Sequence, residues 1–143
     1  SLLSKSLSKE LIEDTRMNLL ACDEYETIGD YQNRIANRLF MLYENSIELD
    51  EVRAKMAFKL HSLSVELFND ISRAVRTNEK ELYPIGMKKY QALKAYYKEV
   101  KREHFSRAEN IPARLNTGYL DIINYYKRIA DHTYNIIEYV MKI

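Results

Sequence analysis

The sequence contains very little glycine, proline or cysteine. Three glycines and two prolines occur in 143 residues. Because strands are joined by turns built mostly from glycine, proline, asparagine and aspartate, this shortage argues against a β-rich fold and favours long helices with short connections. The single cysteine, Cys22, excludes an internal disulfide and suits a reducing compartment. We expect Cys22 to be a packing residue.

An excess of one charge and a long apolar run are also missing. The 22 basic and 21 acidic residues nearly cancel, so the chain lacks the excess positive charge that nucleic-acid binding usually requires. No run approaches the ~18 apolar residues that predict a membrane span. The opening S-L-L-S-K-S-L-S-K has neither an initiator methionine nor the apolar core of a signal peptide. We therefore expect a piece of a longer polypeptide.

Apolar periodicity predicts four helices, at about 8–46, about 49–76, from Asn78 or Pro84 to about 107, and after the break A-E-N-I-P (108–112) to about 141. Weaker periodicity before Ala21 allows a separate short helix there. The apolar seams, which we expect to be buried, are Tyr25, Ile28, Ile35, Leu39 and Leu42; Val52, Met56, Leu60, Leu63, Leu67, Ile71 and Ala74; Tyr90, Leu93, Tyr97, Val100 and His104; and Tyr119, Ile122, Tyr126, Ile129, Thr133, Ile136 and Val140.

Short connections between long helices place consecutive helices antiparallel to one another. The predicted fold is therefore all-α, an antiparallel up-and-down helical bundle that forms a single domain over residues 1–143.

Two segments of the chain resemble each other. Y-E-T-I-G-D-Y-Q-N-R-I-A (25–36) aligns with Y-K-R-I-A-D-H-T-Y-N-I-I (126–137) without a gap, and both lie on predicted helices in the same seam phase. An internal repeat follows. The segment 8–46 is then predicted to be the last helix of a first repeat, and 49–141 a complete second repeat of three helices.

The seam phase places most of the repeated acidic residues on the face away from the core. Asp23, Asp30 and Asp131 fall at the outermost heptad position, and Glu26 lies beside Asp23 and Asp30. Their spacing of three, four or seven residues lets several carboxylate oxygens share one cation or one hydrogen-bond network. Such stripes are also the ordinary solvated face of a helix, so two interpretations remain. The small residues Gly29 and Ala130 of the repeat are suited to close helix approach.

The sequence predicts a different environment for each of the three histidines. His104 continues the seam of the third helix and should be buried and hydrogen-bonded. His132 lies beside the seam, which favours a helix-surface or interface role over metal ligation, and His61 has no evident partner. The patterns G-x-x-x-x-G-K-[ST], H-E-x-x-H, G-x-S-x-G and C-x-x-C do not occur. We therefore expect a non-enzymatic protein.

The two repeated segments resemble a motif of a known protein family. E-T-I-G-D (26–30) and K-R-I-A-D-H-T-Y-N-I (127–136) resemble the repeated motif E-R-I-G-D-H-x-x-N-I of the PhoU family, all-helical phosphate-signalling proteins of two three-helix repeats. V-K-R-E-H-F-S-R (100–107) is similar to the end of the middle helices in the PhoU-like tails of bacterial Na+/phosphate cotransporters. The motif residues are Asp131, His132 and Asn135.

The resemblance implies surface clusters of iron or zinc, because the E/D-x-x-x-D motifs of the PhoU family can hold them. The residues that match the motif are Glu26 and Asp30 in the first copy and Asp131 in the second. Asp23 is a further candidate because it lies on the same stripe of the first helix. Lys127 stands where the second motif has its leading glutamate, and its charge opposes cation binding beside Asp131. We expect any metal to favour the first copy and to bind weakly.

The resemblance further implies a regulatory domain of a sodium/phosphate symporter, at the cytoplasmic face of the bacterial inner membrane. Its expected partners are the transmembrane transporter portion of the same chain and a second copy of the domain. A stand-alone PhoU-type negative regulator of phosphate ABC transport and signalling is the alternative. A metal-dependent hydrolase would need three or more converging ligands, which only Asp23, Glu26 and Asp30 approach.

Overall fold

The chain folds into four long antiparallel helices. This computed structural model describes residues 1–107 and 110–142, and its helices are α1 (Leu2–Glu44), α2 (Glu51–Thr77), α3 (Leu82–Ser106) and α4 (Ala113–Met141). No strand occurs in those two ranges. The prediction of an all-α up-and-down bundle is confirmed.

Helix α4 is the centre of the bundle. It packs against α1, α2 and α3, and α2 also packs against α3. The backbone of α1 follows α4 and stays apart from α2 and α3. Helix α4 should be most tightly held, because it is apolar on the largest share of its circumference and its partners cover it from three sides.

The helix ends follow from local sequence. Asp50 caps α2, since its carboxylate accepts the backbone N–H of Arg53 at 3.0 Å. Asn78 ends α2 in the left-handed conformation, φ 60°. Pro84 lies in the first turn of α3, where a missing N–H leaves no helical bond unmade. The predicted break at 108–112 lies partly outside the described residues, at 108 and 109.

Helix α1 is continuous from Leu2, so the separate short helix allowed before Ala21 is not formed. Every residue from 1 to 16 is exposed, and Ala21 is the first buried one. We call residues 2–16 the α1 arm. It continues the helix past the packed region, because nothing in the sequence breaks the helix there. The large apolar side chains that it exposes are Leu2, Leu3, Leu7, Leu11 and Ile12.

The core agrees with most of the predicted seam positions. All of the α4 seam except the half-buried Val140 is buried, and α1 buries Ile28, Ile35 and Leu42. Leu39 is 44% exposed, contrary to prediction, because one partner helix covers only a narrow stripe of α1. The first turn of α2 also differs from the prediction, since Val52 is exposed and Arg53 is buried in its place.

Three further expectations are corrected by the packing. Ala130 is fully buried, but Gly29 is exposed and a Cβ there would meet nothing within 4 Å, so only Ala130 serves close helix approach. Cys22 is exposed and is not a packing residue. His61 does have a partner, because its Nδ1 and the hydroxyl oxygen of Tyr126 are 3.1 Å apart and share a hydrogen bond.

Candidate functional site

A buried carboxylate joins α1 to the motif on α4. Glu24 is only 8% exposed. It accepts hydrogen bonds from Nδ1–H of His132 at 2.7 Å, from the side-chain amide of Asn135 at 3.2 and 3.3 Å, and from the hydroxyl of Tyr139 at 2.9 Å. We call these four residues the Glu24 cluster. Hydrogen bonds to an ionised group are the strong ones, and they offset the desolvation of the carboxylate.

Helical spacing explains how the Glu24 cluster is assembled. Glu24 precedes Ile28 by four residues, so its side chain points to the same α4-facing stripe as that core residue. On α4, the three donors are separated by three and four residues, which places His132, Asn135 and Tyr139 on one face over two turns. Two members of the cluster are thus the motif residues His132 and Asn135.

Two sets of contacts across the α1–α4 interface can be compared by means of the predicted repeat. Adding the repeat offset (126 − 25 = 101) to Tyr31 and Arg34 gives His132 and Asn135, and adding it to Glu24 gives Tyr125. Tyr125 packs against Tyr31, ring centroids 5.7 Å apart, and its ring lies 5.9 Å from the Arg34 guanidinium. The contacts of Glu24 with His132 and Asn135 therefore correspond, through the repeat offset, to the contacts of Tyr125 with Tyr31 and Arg34. The interface is pseudo-symmetric, with a carboxylate on one side and an aromatic ring on the other.

The remaining motif residue, Asp131, makes a different set of contacts. It accepts hydrogen bonds from the hydroxyl of Tyr90 at 2.7 Å and from Nζ of Lys127 at 2.5 Å. Burial, together with the carboxylate of Asp131, raises the pKa of Tyr90, so the phenol stays a donor. Asp131 is half-buried at the α3–α4 groove, which corrects the expectation that it points away from the bundle.

A second polar network closes the end of the bundle where α2 and α4 begin. The guanidinium of Arg53, buried to 5% side-chain exposure, donates to Nδ1 of His104 at 3.1 Å, to Asp50 at 2.5 Å and to the backbone oxygen of Arg107 at 3.0 Å. Nε2 of His104 then donates to the side-chain oxygen of Asn116 at 2.7 Å. The prediction that His104 is buried and hydrogen-bonded is confirmed.

The charged side chains of Asp50 and Arg53 in this network are stabilised by specific contacts. Burial alone would raise the pKa of Asp50, but the backbone N–H and the guanidinium of Arg53 outweigh it and lower that pKa to about 2. Arg53 is therefore a buried cation with a paired anion and a neutral imidazole acceptor. Removing either acceptor would leave a buried charge without compensation. The network ties residues 100–107 to the starts of both α2 and α4.

Comparison with known proteins supplies the family. Residues 58–140 match the PhoU domain, which is more than half of the chain. The chain belongs to the PhoU family. The match covers most of α2, all of α3 and nearly all of α4, including the motif residues Asp131, His132 and Asn135, whereas the first motif copy lies before it. Searches among curated proteins and among solved structures returned no match.

In this PhoU domain, the residues predicted to bind metal are distributed over two helices. Asp23, Glu26 and Asp30 are exposed on α1, and Asp131 is engaged by Lys127 and Tyr90 on the α3–α4 side. Among residues 1–107 and 110–142, no three histidine, cysteine, aspartate or glutamate side chains are grouped so that they could hold a metal ion. The arrangement does not fit a metal cluster, and the assignment of weak binding to the first copy stays a prediction.

Membership of the PhoU family suggests a phosphate-related regulatory role. None of the helices in the described part of the chain is long and apolar enough to cross a membrane.

Sequence reasoning missed Glu24, Arg53 and Tyr139. A signal for the first two was present, because Glu24 lies on the same stripe as Ile28 and Ile35, and Arg53 lies one turn before Ala57 and two before Leu60 on the buried side of α2. A charged residue at a core position indicates a buried partner. Tyr139 carries no such signal, since its role depends on which residue of α1 faces it.

Proposed function

We propose that this PhoU domain is a non-enzymatic regulatory domain of a sodium-dependent phosphate transporter and acts in the control of phosphate uptake. The observation that carries the proposal is the use of the family motif: His132 and Asn135 bind Glu24 of another helix of the same chain. Motif residues that join two helices can set how those helices are arranged. Their engagement within the chain supports a structural rather than a substrate-binding role.

The pairing of buried titratable groups supports a regulatory domain over an enzyme. Within the described ranges, the charged or ionisable residues buried in the core are Glu24, Arg53, His104 and four tyrosines. Glu24 is held by three donors, and Arg53 and His104 bind each other. An acid–base catalyst must reach a substrate proton, and Glu24, Arg53 and His104 already have partners within the chain.

The transporter context comes from the resemblance of V-K-R-E-H-F-S-R (100–107) to the tails of Na+/phosphate cotransporters. Arg107 and His104 of this segment belong to the network with Arg53, so the segment has a defined structural part. On this proposal the domain lies at the cytoplasmic face of the bacterial inner membrane. Its partners are the membrane-spanning portion of the same polypeptide and a second copy of the domain.

The test begins with the complete reading frame. Several apolar segments of about 20 residues upstream of Ser1 would support the cotransporter proposal. Their absence, with a second PhoU repeat in their place, would instead favour a stand-alone negative regulator of phosphate ABC transport.

A functional measurement then tests regulation in the full-length transporter. We expect Glu24→Ala to leave sodium-driven phosphate uptake measurable but to change its response to the phosphate supply. Glu44→Ala, an exposed carboxylate of α1 that belongs to neither motif copy, is the matched control. Uptake and regulation that are both unchanged by Glu24→Ala and by deletion of the domain would refute the proposal.

A further inference from the structure

The outward face of α3 carries positive charge along its whole length. Four of its cations have a neighbour three, four or seven residues away, and the fifth lies fourteen residues before the last, so all five fall on one broad side of the helix. They are Lys88, Lys94, Lys98, Lys101 and Arg102. Lys88, Lys98 and Arg102 are exposed, and Lys94 and Lys101 are half-buried beside tyrosine rings, 5.9 Å from Tyr90 and 5.4 Å from Tyr97. We call these five residues the α3 basic face.

The α3 basic face is not neutralised by neighbouring carboxylates. None of its five cations forms an ion pair with another residue in the described ranges. The outer face of α2 differs, because there Lys55 pairs with Glu51 at 2.8 Å. The carboxylates of α3 lie to one side of the basic face: Glu99 borders it, and Glu103 is 3.8 Å from Arg107. The outward face of α3 is therefore not a solvated surface of mixed charge like the outer face of α2.

The basic face extends onto α4 and ends in an exposed aromatic ring. Arg128 of α4 is exposed and lies near Tyr97, where its charge lowers the pKa that burial raises. Phe105 follows Lys98 by seven residues on the same stripe of α3 and is 58% exposed. The acidic residues of α1 are on the other side of α4, because α1 packs on α4 and its backbone stays apart from that of α3. The charge of a nearly neutral chain is thus polarised across the bundle.

We propose that the α3 basic face docks this domain onto an anionic phospholipid surface. Clusters of about four to eight lysines and arginines on one helix bind such surfaces, with roughly a tenfold gain in partition for every one to two cations. From Lys88 to Phe105 the face is about 26 Å long at 1.5 Å per residue. The long side chains of its lysines and arginine allow the cations on the flanks of the helix to extend toward the same flat surface. Phe105 can then lie at the level of the headgroups. This inference stands independently of the transporter proposal.

Nucleic acid is the competing polyanion, because a row of cations on one helix face is also its usual electrostatic footprint. A chain with net charge +1 lacks the long-range positive field that steers proteins onto nucleic acid, so the lipid surface is the proposed ligand and RNA is the competing ligand in the test.

The experiment measures binding of the purified chain to lipid vesicles by co-sedimentation. Vesicles of phosphatidylcholine alone are compared with vesicles that contain phosphatidylglycerol. We expect binding only to the anionic vesicles, with a steep loss as salt rises from 50 to 300 mM. The triple variant Lys94→Gln, Lys98→Gln, Arg102→Gln should lower the partition coefficient on the order of a hundredfold.

A matched variant removes the same charge from another place. Lys5→Gln, Lys9→Gln, Arg16→Gln changes three exposed cations of the α1 arm and should leave vesicle binding within about threefold of wild type, if the α3 basic face is the docking site. Circular dichroism verifies that both variants remain folded.

Three results would overturn the proposal. The first is equal binding to neutral and anionic vesicles or none to either, and the second is loss of binding in the α1 variant alone. The third is RNA binding that exceeds vesicle binding and is lost in the α3 variant, which would assign the face to nucleic acid.

Discussion

Replacing Glu24 by alanine tests whether the Glu24 cluster holds α1 onto α4. The change removes the acceptor of three donors at once. Hydrogen bonds to a charged group contribute ~1.5–3 kcal/mol each, which gives an upper bound of roughly 4.5–9 kcal/mol. The actual loss should be smaller, because His132 keeps 24% of its side chain in solvent and water can reach the freed donors. We expect the free energy of unfolding to fall by about 2–3 kcal/mol.

Urea denaturation followed by circular dichroism measures this loss as a shift in midpoint at unchanged slope. The melting temperature should fall by about 8 °C for a chain of this size. Glu24→Gln keeps one acceptor oxygen and should cost about half as much. Glu26→Ala, on the exposed side of the same helix, provides the control and should stay within ~0.5 kcal/mol of wild type. If Glu24→Ala behaves like Glu26→Ala, the cluster does not stabilise the α1–α4 interface and our reasoning is wrong.

Three shorter predictions concern other sites. The pKa of Asp50 is lowered from 3.8 to about 2 in the folded protein. Ionised Asp50 therefore stabilises the fold above pH 3.8, and this contribution is lost as the pH falls through about 2. The side chain of Asp50 is 34% exposed, and solvent screening limits its contribution to about 1 kcal/mol. The stability difference between wild type and Asp50→Asn should therefore shrink as pH falls from 3.8 and approach zero only below about pH 2, and a constant difference would contradict the assignment. His104→Leu should cost about 2–3 kcal/mol in urea denaturation, since buried Arg53 loses an acceptor; a change under ~0.5 kcal/mol would show that the network contributes little. Elemental analysis of protein purified without chelator should find well under one tightly held iron or zinc per chain, and two retained metals that Asp131→Ala removes would restore the family's cluster to this protein.

The sequence predicted the elements that depend on a local pattern. The heptad of α4 gave its buried face from Tyr119 to Ile136, and the position of His104 on the α3 seam gave its burial. These predictions succeed because a regular apolar stripe faces whatever the helix packs against. The predicted burial of Leu39 was wrong, because the width of the buried stripe on a helix depends on how many helices cover it. Helix α1 has α4 alone as its main partner.

The polar sites were less predictable, because they are formed by residues far apart in the chain. Glu24 and His132 are separated by 108 residues, and no local pattern indicates which residue of one helix faces which residue of another. The repeat did contain part of this information, since the offset that relates the two motifs also relates their contacts. The register between antiparallel helices would have been needed to use it.

The α1 arm has a consequence for the time scale of local opening. An isolated helix shorter than ~12–15 residues is marginally stable in water, and residues 2–16 have no tertiary packing to support them. Their amide hydrogens should exchange within seconds by fraying, whereas those of α4 should exchange only with global unfolding. The arm is therefore a built-in reporter of assembly. Any segment or second copy that packs on its leucines will slow amide exchange between Leu2 and Arg16, and the bundle itself will show no change.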